Sequence, residues 1–365
     1  MSEWQTFCLK DLGKIVGGAT PSTNNPKNYG NKIAWITPKD LSTLQGRYIK
    51  KGSRSISRLG FKSCSCVLLP KHAILFSSRA PIGYVAIAEK RLCTNQGFKS
   101  IIPNKKIYFE FLYYLLKYHK DNISNIGGGT TFKEVSGATL GLFEVKIPPT
   151  YYEQQKIART LSVLDQKIEN NHKINELLQT LAYKIYEYYF KYKPKNAKLE
   201  QIIIENPKSN IMVKNAQKTQ DKYPFFTSGD NILSYPKAII DGRNCFLNTG
   251  GNAGIKFYVG KASYSTDTWC ICANEFSDYL YLLLSSIKNH INQSFFQGTS
   301  LKHLQKNLLK KYPIYMPSVH EIKKFNQIMM PLLTLISINT RTSKKLEQIR
   351  DFLLPLLLKQ QVKPQ

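Results

Sequence analysis

The stretch from Ile147 to Tyr192 returns in degraded form 168 residues later, and any fold of this chain must accommodate both copies. Pro149 matches Pro317, Glu153 matches Glu321 and Lys156 matches Lys324. After the proline, each copy settles into apolar residues alternately four and three apart, the period of a helix packed along one narrow seam. The first seam reads Ile157, Leu161, Leu164, Ile168, Asn171, Asn175, Leu178, Ala182, Ile185, Tyr189. The second reads Phe325, Met329, Leu332, Ile336, Asn339, Ser343, Leu346, Arg350, Leu353, Leu357. Asparagine interrupts both at the same position, Asn171 and Asn339, and a buried polar pair of this kind can fix register and partner choice. One such helix could equally be an ordinary amphipathic helix on a globular core, but a second copy at one offset argues against that. The spacing predicts two long helices that pack on each other. A helix of about 40 residues is about 60 Å long, so the pair reads as a spacer between two units. Pro331 and Pro355, with His320-Glu321-Ile322 replacing a Glu-Gln-Gln start, predict a kink or late start in the second copy.

With 365 residues and 42% apolar composition, the chain has room for two or three domains with proper cores. The N-terminus lacks a signal-like apolar core, and the greasiest run, Phe352 to Leu358, is short and interrupted by Pro355. Neither export nor a membrane span is expected, which implies a cytoplasmic protein. Seven thinly spread cysteines fit reduced thiols. Cys64 with Cys66, and Cys270 with Cys272, read as buried thiols on one face of a strand, since their spacing is too tight for a usual zinc site.

The formal charge is +28, from 52 basic and 24 acidic residues, and a polyanion is the expected partner. Residues 1–150 carry 22 basic against 8 acidic residues and 194–318 carry 15 against 8, while 151–193 is nearly balanced at 7 against 5. The excess sits in mixed segments and not on a basic amphipathic helix, which favours nucleic acid over a membrane surface or an acidic protein.

Residues 1–150 mix short apolar runs with turn formers. Val67 to Leu69, Ala73 to Phe76, Tyr84 to Ala88 and Ser100 to Ile102 read as strands, and Tyr108 to Tyr118 as a helix. GGATPSTNNPKNYG, from Gly17, reads as an ordered loop before WITPKDL, with Trp35 as packing anchor. In KKGSRSISRLGFK, the residues Lys50, Lys51, Arg54 and Arg58 among small hydroxyl residues suit phosphate contacts better than an idle solvated loop. Arg79 precedes a Pro-Ile-Gly turn. GGGTTFKEV, with Thr130, Thr131 and Lys133, offers backbone N–H groups and hydroxyls as a phosphate nest, although it is neither a Walker loop nor a dinucleotide fingerprint. After a polar hinge from Lys193 to Ala197, residues 198–318 replay this outline. FLNTGGNAGI from Phe246 resembles Phe76 to Gly83, Thr266 to Trp269 falls where Thr94 to Phe98 did, and QGTSLKHL from Gln297 echoes GGTTFKEV. Arg243, Lys256 and Lys302 are the candidate DNA contacts of this second half. The framing turns persist while the residues between them differ, as expected of two units doing one kind of job on two targets.

GKIVGGATPSTNNPKNYG with WITPKDL, TNQGFKSI, GGGTTFKEV, IPPTYYEQQKIARTLSVLDQKIENNHKINELLQTLA and KKLEQIRDFLLPLLL follow one another along the whole chain. In that order they resemble the specificity subunits of Type I restriction-modification systems. The resemblance implies an α+β fold with a pseudo-twofold repeat: two mixed target-recognition domains, residues 1–148 and 195–316, alternate with helices, 149–192 and 317–360, that form an antiparallel coiled coil. It implies that each domain reads one half of a bipartite site in double-stranded DNA and that the helices dock methyltransferase (modification) subunits. It implies too that S-adenosylmethionine, ATP and magnesium serve the modification and restriction (translocase/nuclease) subunits, with no cofactor on this chain.

No motif for independent catalysis stands against this. Asn206-Pro207-Lys208 lacks the second proline and aromatic of a methyltransferase tetrapeptide, and the six histidines form no H-E-x-x-H pair. A fused methyltransferase or nuclease would need the missing cofactor motif. A coiled-coil architectural DNA-binding protein would not need two elaborate, diverged globular units.

Overall fold

The computed structural model describes residues 3–129, 133–216 and 222–364. The chain divides into two units, Met1–Glu169 with Ile349–Gln365, and Asn170–Gln348. Two long helices, a central one (Tyr151–Tyr186) and a C-terminal one (Val319–Leu358), each contribute to both.

Both helices begin with the same reciprocal cap. Thr150 Oγ1 accepts from the Glu153 N–H at 3.2 Å and donates to its carboxylate at 3.0 Å. Ser318 Oγ accepts from the Glu321 N–H at 3.3 Å, and the Ser318 N–H donates back to Glu321 at 2.9 Å. Each cap satisfies N–H groups that an open helix start would orphan. The expected late start is therefore corrected: the C-terminal helix begins at Val319 and is assigned without interruption through Pro331. An interior proline costs about 3 kcal/mol. Phe325, Met329 and Leu333 are fully buried around it, and at about 1.5–3 kcal/mol each their burial outweighs that cost.

The altered start has its own explanation. Gln154 is buried, accepts the Tyr108 N–H at 2.7 Å and donates to the carbonyls of Lys106 and Pro148 at 3.0 and 3.3 Å. Its counterpart Ile322 packs into the apolar core of the second unit. There the tie passes to Asn326, which donates to the Glu275 carbonyl at 2.7 Å.

The helices run antiparallel. In the first unit Arg350 meets Asp165 at 2.7 Å, and Leu354, Leu357 and Leu358 share a core with Ile157 and Leu161. In the second unit Asn171 Nδ2 donates to Ser343 Oγ at 3.1 Å. Asn175 donates to Thr340 Oγ1 at 3.2 Å and accepts from Asn339 Nδ2 at 3.0 Å. Asn171 and Asn339 therefore do not pair with each other. Equivalent positions of two antiparallel copies are symmetry mates, and each faces the mate of a residue one turn away.

Each unit repeats one sheet plan. In the first, strands Lys99–Pro103, Ile74–Ser78 and Ile82–Ala88 lie side by side, all antiparallel, with Gly13–Gly17 and Tyr48–Ile49 at the two edges. In the second, Thr268–Cys272, Arg243–Asn248 and Ile255–Val259 take the same order with Ile204–Glu205 at one edge. A second small sheet also repeats. Tyr29–Ile36 lies between antiparallel Arg54–Ile56 and parallel Cys93–Thr94, and Tyr223–Phe226 lies between antiparallel Leu233–Tyr235 and parallel Ser263–Tyr264. Each mixed region closes by pairing its ends, Gln5–Cys8 on Glu144–Ile147 and Ala197–Lys198 on Pro313–Ile314. Val67 to Leu69, expected as a strand, contributes only the isolated bridge Leu69 to Leu92.

A buried ionic network seats the first mixed region on its helices. The Arg47 side chain is 3% exposed; it meets Glu110 at 3.0 Å, on the domain's own helix (Phe109–Asn125), and Glu169 at 3.1 Å, on the central helix. Tyr48 and Tyr108 donate to Glu110, and Tyr114 donates to Asp165. Burial disfavours the Arg47 charge, but Tyr114, Glu169 and Glu110 more than offset this and hold the guanidinium firmly protonated.

Candidate nucleic-acid interface

The loop carrying Lys50, Lys51, Arg54 and Arg58 is built on a carboxylate. Asp40 accepts the Ser53 N–H at 2.7 Å on one oxygen, and the Thr37 N–H and hydroxyl at 2.8 and 2.7 Å on the other. Burial raises the Asp40 pKa, but these hydrogen bonds win and hold it below the usual carboxylate value. Thr37-Pro38-Lys39-Asp40 is a helix-cap signature legible in the sequence. On this frame all four cations are exposed. Lys50 approaches Glu89 at 3.9 Å, and Arg54 lies 5.8 Å from the centre of the Tyr29 ring.

Tyr29 itself is fixed, its hydroxyl donating to the Pro21 carbonyl at 2.9 Å, while Trp35 Nε1 donates to the Ala19 carbonyl at 3.0 Å. A Cβ on Gly18 would lie 2.4 and 2.1 Å from the carbonyl oxygens of Thr94 and Asn95. Glycine is needed there so that the Gly17 loop can lie against the TNQGF segment.

Arg79 falls in a second grouping. It meets Glu134 at 3.6 Å, and Lys99 meets the same carboxylate at 3.3 Å. Lys133 is exposed beside them. The expected phosphate nest is corrected at its glycines: the Gly127 N–H donates to Ser124 and the Gly128 N–H to Glu134, so both amides are spent inside the protein. Thr130 and Thr131 lie outside the described residues. The matching turn of the second unit pairs Gln297 with His303, and Lys302 is exposed upon it.

Two candidates are structural instead. Arg243 grips Asp278 with two hydrogen bonds, 2.6 and 2.7 Å, and donates to Thr334 Oγ1 at 2.9 Å and the Met330 carbonyl at 3.3 Å. It thus ties the second sheet to its own short helix and to the C-terminal helix, the task that Arg47 performs in the first unit. Lys256 donates to the Thr227 carbonyl at 2.8 Å and Asn248 Oδ1 at 3.1 Å, and burial holds its pKa below the usual lysine value. Both side chains carry the charge a phosphate contact needs, but their donors are committed inside the protein.

All seven cysteines are free thiols. Cys270 and Cys272 lie on one strand, but Cys64 and Cys66 sit in irregular chain, where Cys66 donates to the Ala19 carbonyl at 3.0 Å. Among the described residues no cluster of histidine, cysteine or carboxylate side chains could hold a metal ion, and no helix is long and apolar enough to cross a membrane.

Comparison with known proteins agrees with this geometry. The family model for the Type I restriction modification DNA specificity domain matches residues 1–180 and 195–348. The MjaIX Type I restriction enzyme specificity subunit of Methanocaldococcus jannaschii is 32% identical over 403 aligned residues, covering 98% of this chain and 93% of the relative. The HindI specificity subunit of Haemophilus influenzae is 30% identical over 190 residues, covering 49% of this chain and 40% of the relative. The crystal structure of a Type I system S subunit from M. genitalium superposes with a TM-score of 0.64 at 18% identity, over 97% of this chain and 96% of that one, and shares the fold. A matching family model along two repeats, a full-length relative and a duplicated recognition fold on paired helices together place this chain in the Type I restriction-modification DNA specificity family.

Proposed function

We propose that the chain is the non-catalytic DNA-recognition subunit of a cytoplasmic Type I restriction-modification assembly, with each mixed domain reading one half of a bipartite double-stranded site. One observation carries this reading: the two units keep the same strand order and closing pairs but differ in the loops between them. Residues 37–53 join the first two strands of the small sheet in one unit and residues 227–232 in the other. A constant frame with variable polar loops is the architecture of a reader whose two targets differ.

The central helix supports docking of a modification subunit. Ile174, Leu177 and Leu181 form a helically spaced exposed row, continued by Tyr188 in the π-helical turn Glu187–Lys191 that follows the helix, with Leu177 71% and Tyr188 85% exposed. At the 168-residue offset these positions are Thr342, Lys345, Ile349 and Leu356, so the C-terminal helix offers a less apolar face. S-adenosylmethionine belongs on this reading to the modification subunits, and ATP with magnesium to a restriction subunit. Co-expression with the modification subunits followed by mapping of methylated bases tests the reading. The expected result is a bipartite motif with a fixed degenerate spacer, and methyl transfer by the isolated chain would overturn the non-catalytic role.

A further inference from the structure

A cleft of about 720 Å³ opens in the second unit between the hairpin Tyr223–Phe226 and Leu233–Tyr235, the Tyr258–Lys261 turn and the C-terminal helix near Thr340–Gln348. Its walls are mostly apolar, formed by Tyr223, Pro224, Ile232 and the buried Tyr258. Four cations line it, Lys222, Lys261, Arg341 and Lys345, against one carboxylate, Asp241. Among the described residues none of the four forms an ion pair with a carboxylate. A fifth, Lys344, is spent on the fold, donating to the carbonyls of Ile232 and Leu233 at 3.3 and 2.9 Å. Ser234 also lines the cleft, a residue only 1% exposed whose buried hydroxyl has no hydrogen-bond partner.

Arg341 hydrogen-bonds the Tyr258 hydroxyl and the Lys222 ammonium lies 5.3 Å from the centre of the Tyr223 ring, but the positive cluster and the unpaired hydroxyl remain costly without a ligand. A buried hydroxyl with no partner forfeits a hydrogen bond, and clustered cations repel one another. At the 168-residue offset Lys344 and Lys345 correspond to Glu176 and Leu177, so the helical repeat does not require these two cations, whereas Arg341 has a cation, Lys173, as its counterpart. The volume falls within the range of about 300–1,000 Å³ typical of small-molecule sites, which are apolar with a few placed polar groups. A bare phosphate would leave most of it empty. An aromatic ring fits against Tyr223 and Tyr258, and a phosphate fits the guanidinium and ammonium groups.

We propose that this cleft binds a nucleotide, its base against Tyr223 and Tyr258 with a polar edge toward Ser234, and its phosphates on Arg341, Lys345, Lys261 and Lys222. The nucleotide comes either free from solution or as an unstacked nucleotide of bound DNA, and one pair of experiments separates the two. In the first, the full-length chain without DNA is titrated calorimetrically with ATP, GTP and inorganic tripolyphosphate. A free-nucleotide site gives saturable binding that Arg341→Ala with Lys345→Ala weakens by at least about tenfold, the loss expected for charge-assisted contacts. Tyr223→Ala weakens the nucleotides and leaves tripolyphosphate unchanged. In the second, DNA affinity is measured against salt. A DNA-borne nucleotide gives no free-nucleotide binding, but Tyr223→Ala weakens DNA binding, and the Arg341/Lys345 pair lowers the slope of log affinity against log salt by about 1–2. The proposal is overturned if no nucleotide binds up to millimolar concentration and DNA affinity is unchanged in all variants, or if binding persists undiminished in them. The methylated motif, read in the same variants, reports separately on target recognition.

Discussion

Replacing Arg47 tests whether a recognition domain is seated on its helices by charge. Arg47→Ala strands Glu110 and Glu169, whose side chains are 12% and 16% exposed and which lie 3.0 and 3.1 Å from the guanidinium. Tyr48 and Tyr108 still solvate Glu110, and Glu169 keeps the backbone N–H of residue 47 at 2.9 Å but loses the guanidinium at 3.1 Å. Removing one partner of a buried ionic cluster costs about 3–5 kcal/mol. At about 2–4 °C per kcal/mol for a cooperative unit of roughly 150–250 residues, the first unit should melt about 6–20 °C lower. Calorimetry of the full-length chain reads this as a shift of one transition, with the transition of Asn170–Gln348 unmoved. The control is Arg47→Met with Glu110→Gln and Glu169→Gln, which deletes the stranded charges as well and should recover more than half the loss. A loss below about 1 kcal/mol for Arg47→Ala, or no recovery in the triple variant, refutes the network as the seat.

Neutralising Lys50, Lys51, Arg54 and Arg58 together should reduce the slope of log DNA affinity against log salt by about 1–3, because each lost phosphate contact releases about one counterion fewer. An unchanged slope returns them to solvated surface. Arg243→Met should behave in the opposite way, destabilising the second unit by about 3–5 kcal/mol through the stranded Asp278 while leaving the salt slope intact; a lowered slope in a fully stable variant would restore it to the DNA-contact list. Acidification should weaken the first unit through His119, whose pKa burial holds below the ordinary 6.5 and whose Nδ1 has no partner. The unfolded chain then binds the proton more tightly than the folded one, so the stability is fully present above pH 6.5 and falls as pH drops below it. Melting of His119→Phe between pH 7.5 and 5.5 should depend less on pH than the parent, and equal dependence removes His119 as the cause.

The long helices were legible because a seam of period three and four survives divergence, and because two copies at one offset exclude coincidence. Their mutual register was not, since an offset aligns like with like whereas antiparallel packing brings Asn171 to Ser343 and Asn175 to Asn339. The sheet order was only outlined by the echo of Phe76 in Phe246. Val67 to Leu69 has strand composition but no neighbour with which to pair along its length. At the candidate interface, composition finds cations but does not distinguish a free one from a committed one. Arg243 opens a strand, Arg243–Asn248, whose following residues are all buried, and that was the available sign that its side chain would turn to a partner. Asp40, which shapes the exposed loop, carries the wrong charge to attract notice in a search for phosphate ligands.

The two units keep one geometry with different chemistry at the seat, and this constrains how a recognition domain can be exchanged. Arg47 with Glu110 and Glu169 does in one unit what Arg243 does with Asp278 and Thr334 in the other, and Gln154 gives way to Ile322 and Asn326. The sheet plan belongs to the domain, but half of each seat belongs to the long helix. A graft that replaces residues 1–148 alone leaves Gln154, Asp165 and Glu169 on the host helix, facing a domain that need not supply an arginine or the carbonyls they require. Such a graft buries an unpaired carboxylate and should cost about 3–5 kcal/mol whatever the fit of the sheets. Extending the graft through Glu169 carries Gln154, Asp165 and Glu169 with their partners and leaves only Arg350 of that network to the host. The longer chimera should therefore match the parent more closely in melting temperature and change one half of the methylated motif. If the shorter graft is equally stable while its incoming domain lacks an arginine for Glu169, the seat is apolar packing alone and the ionic network is incidental.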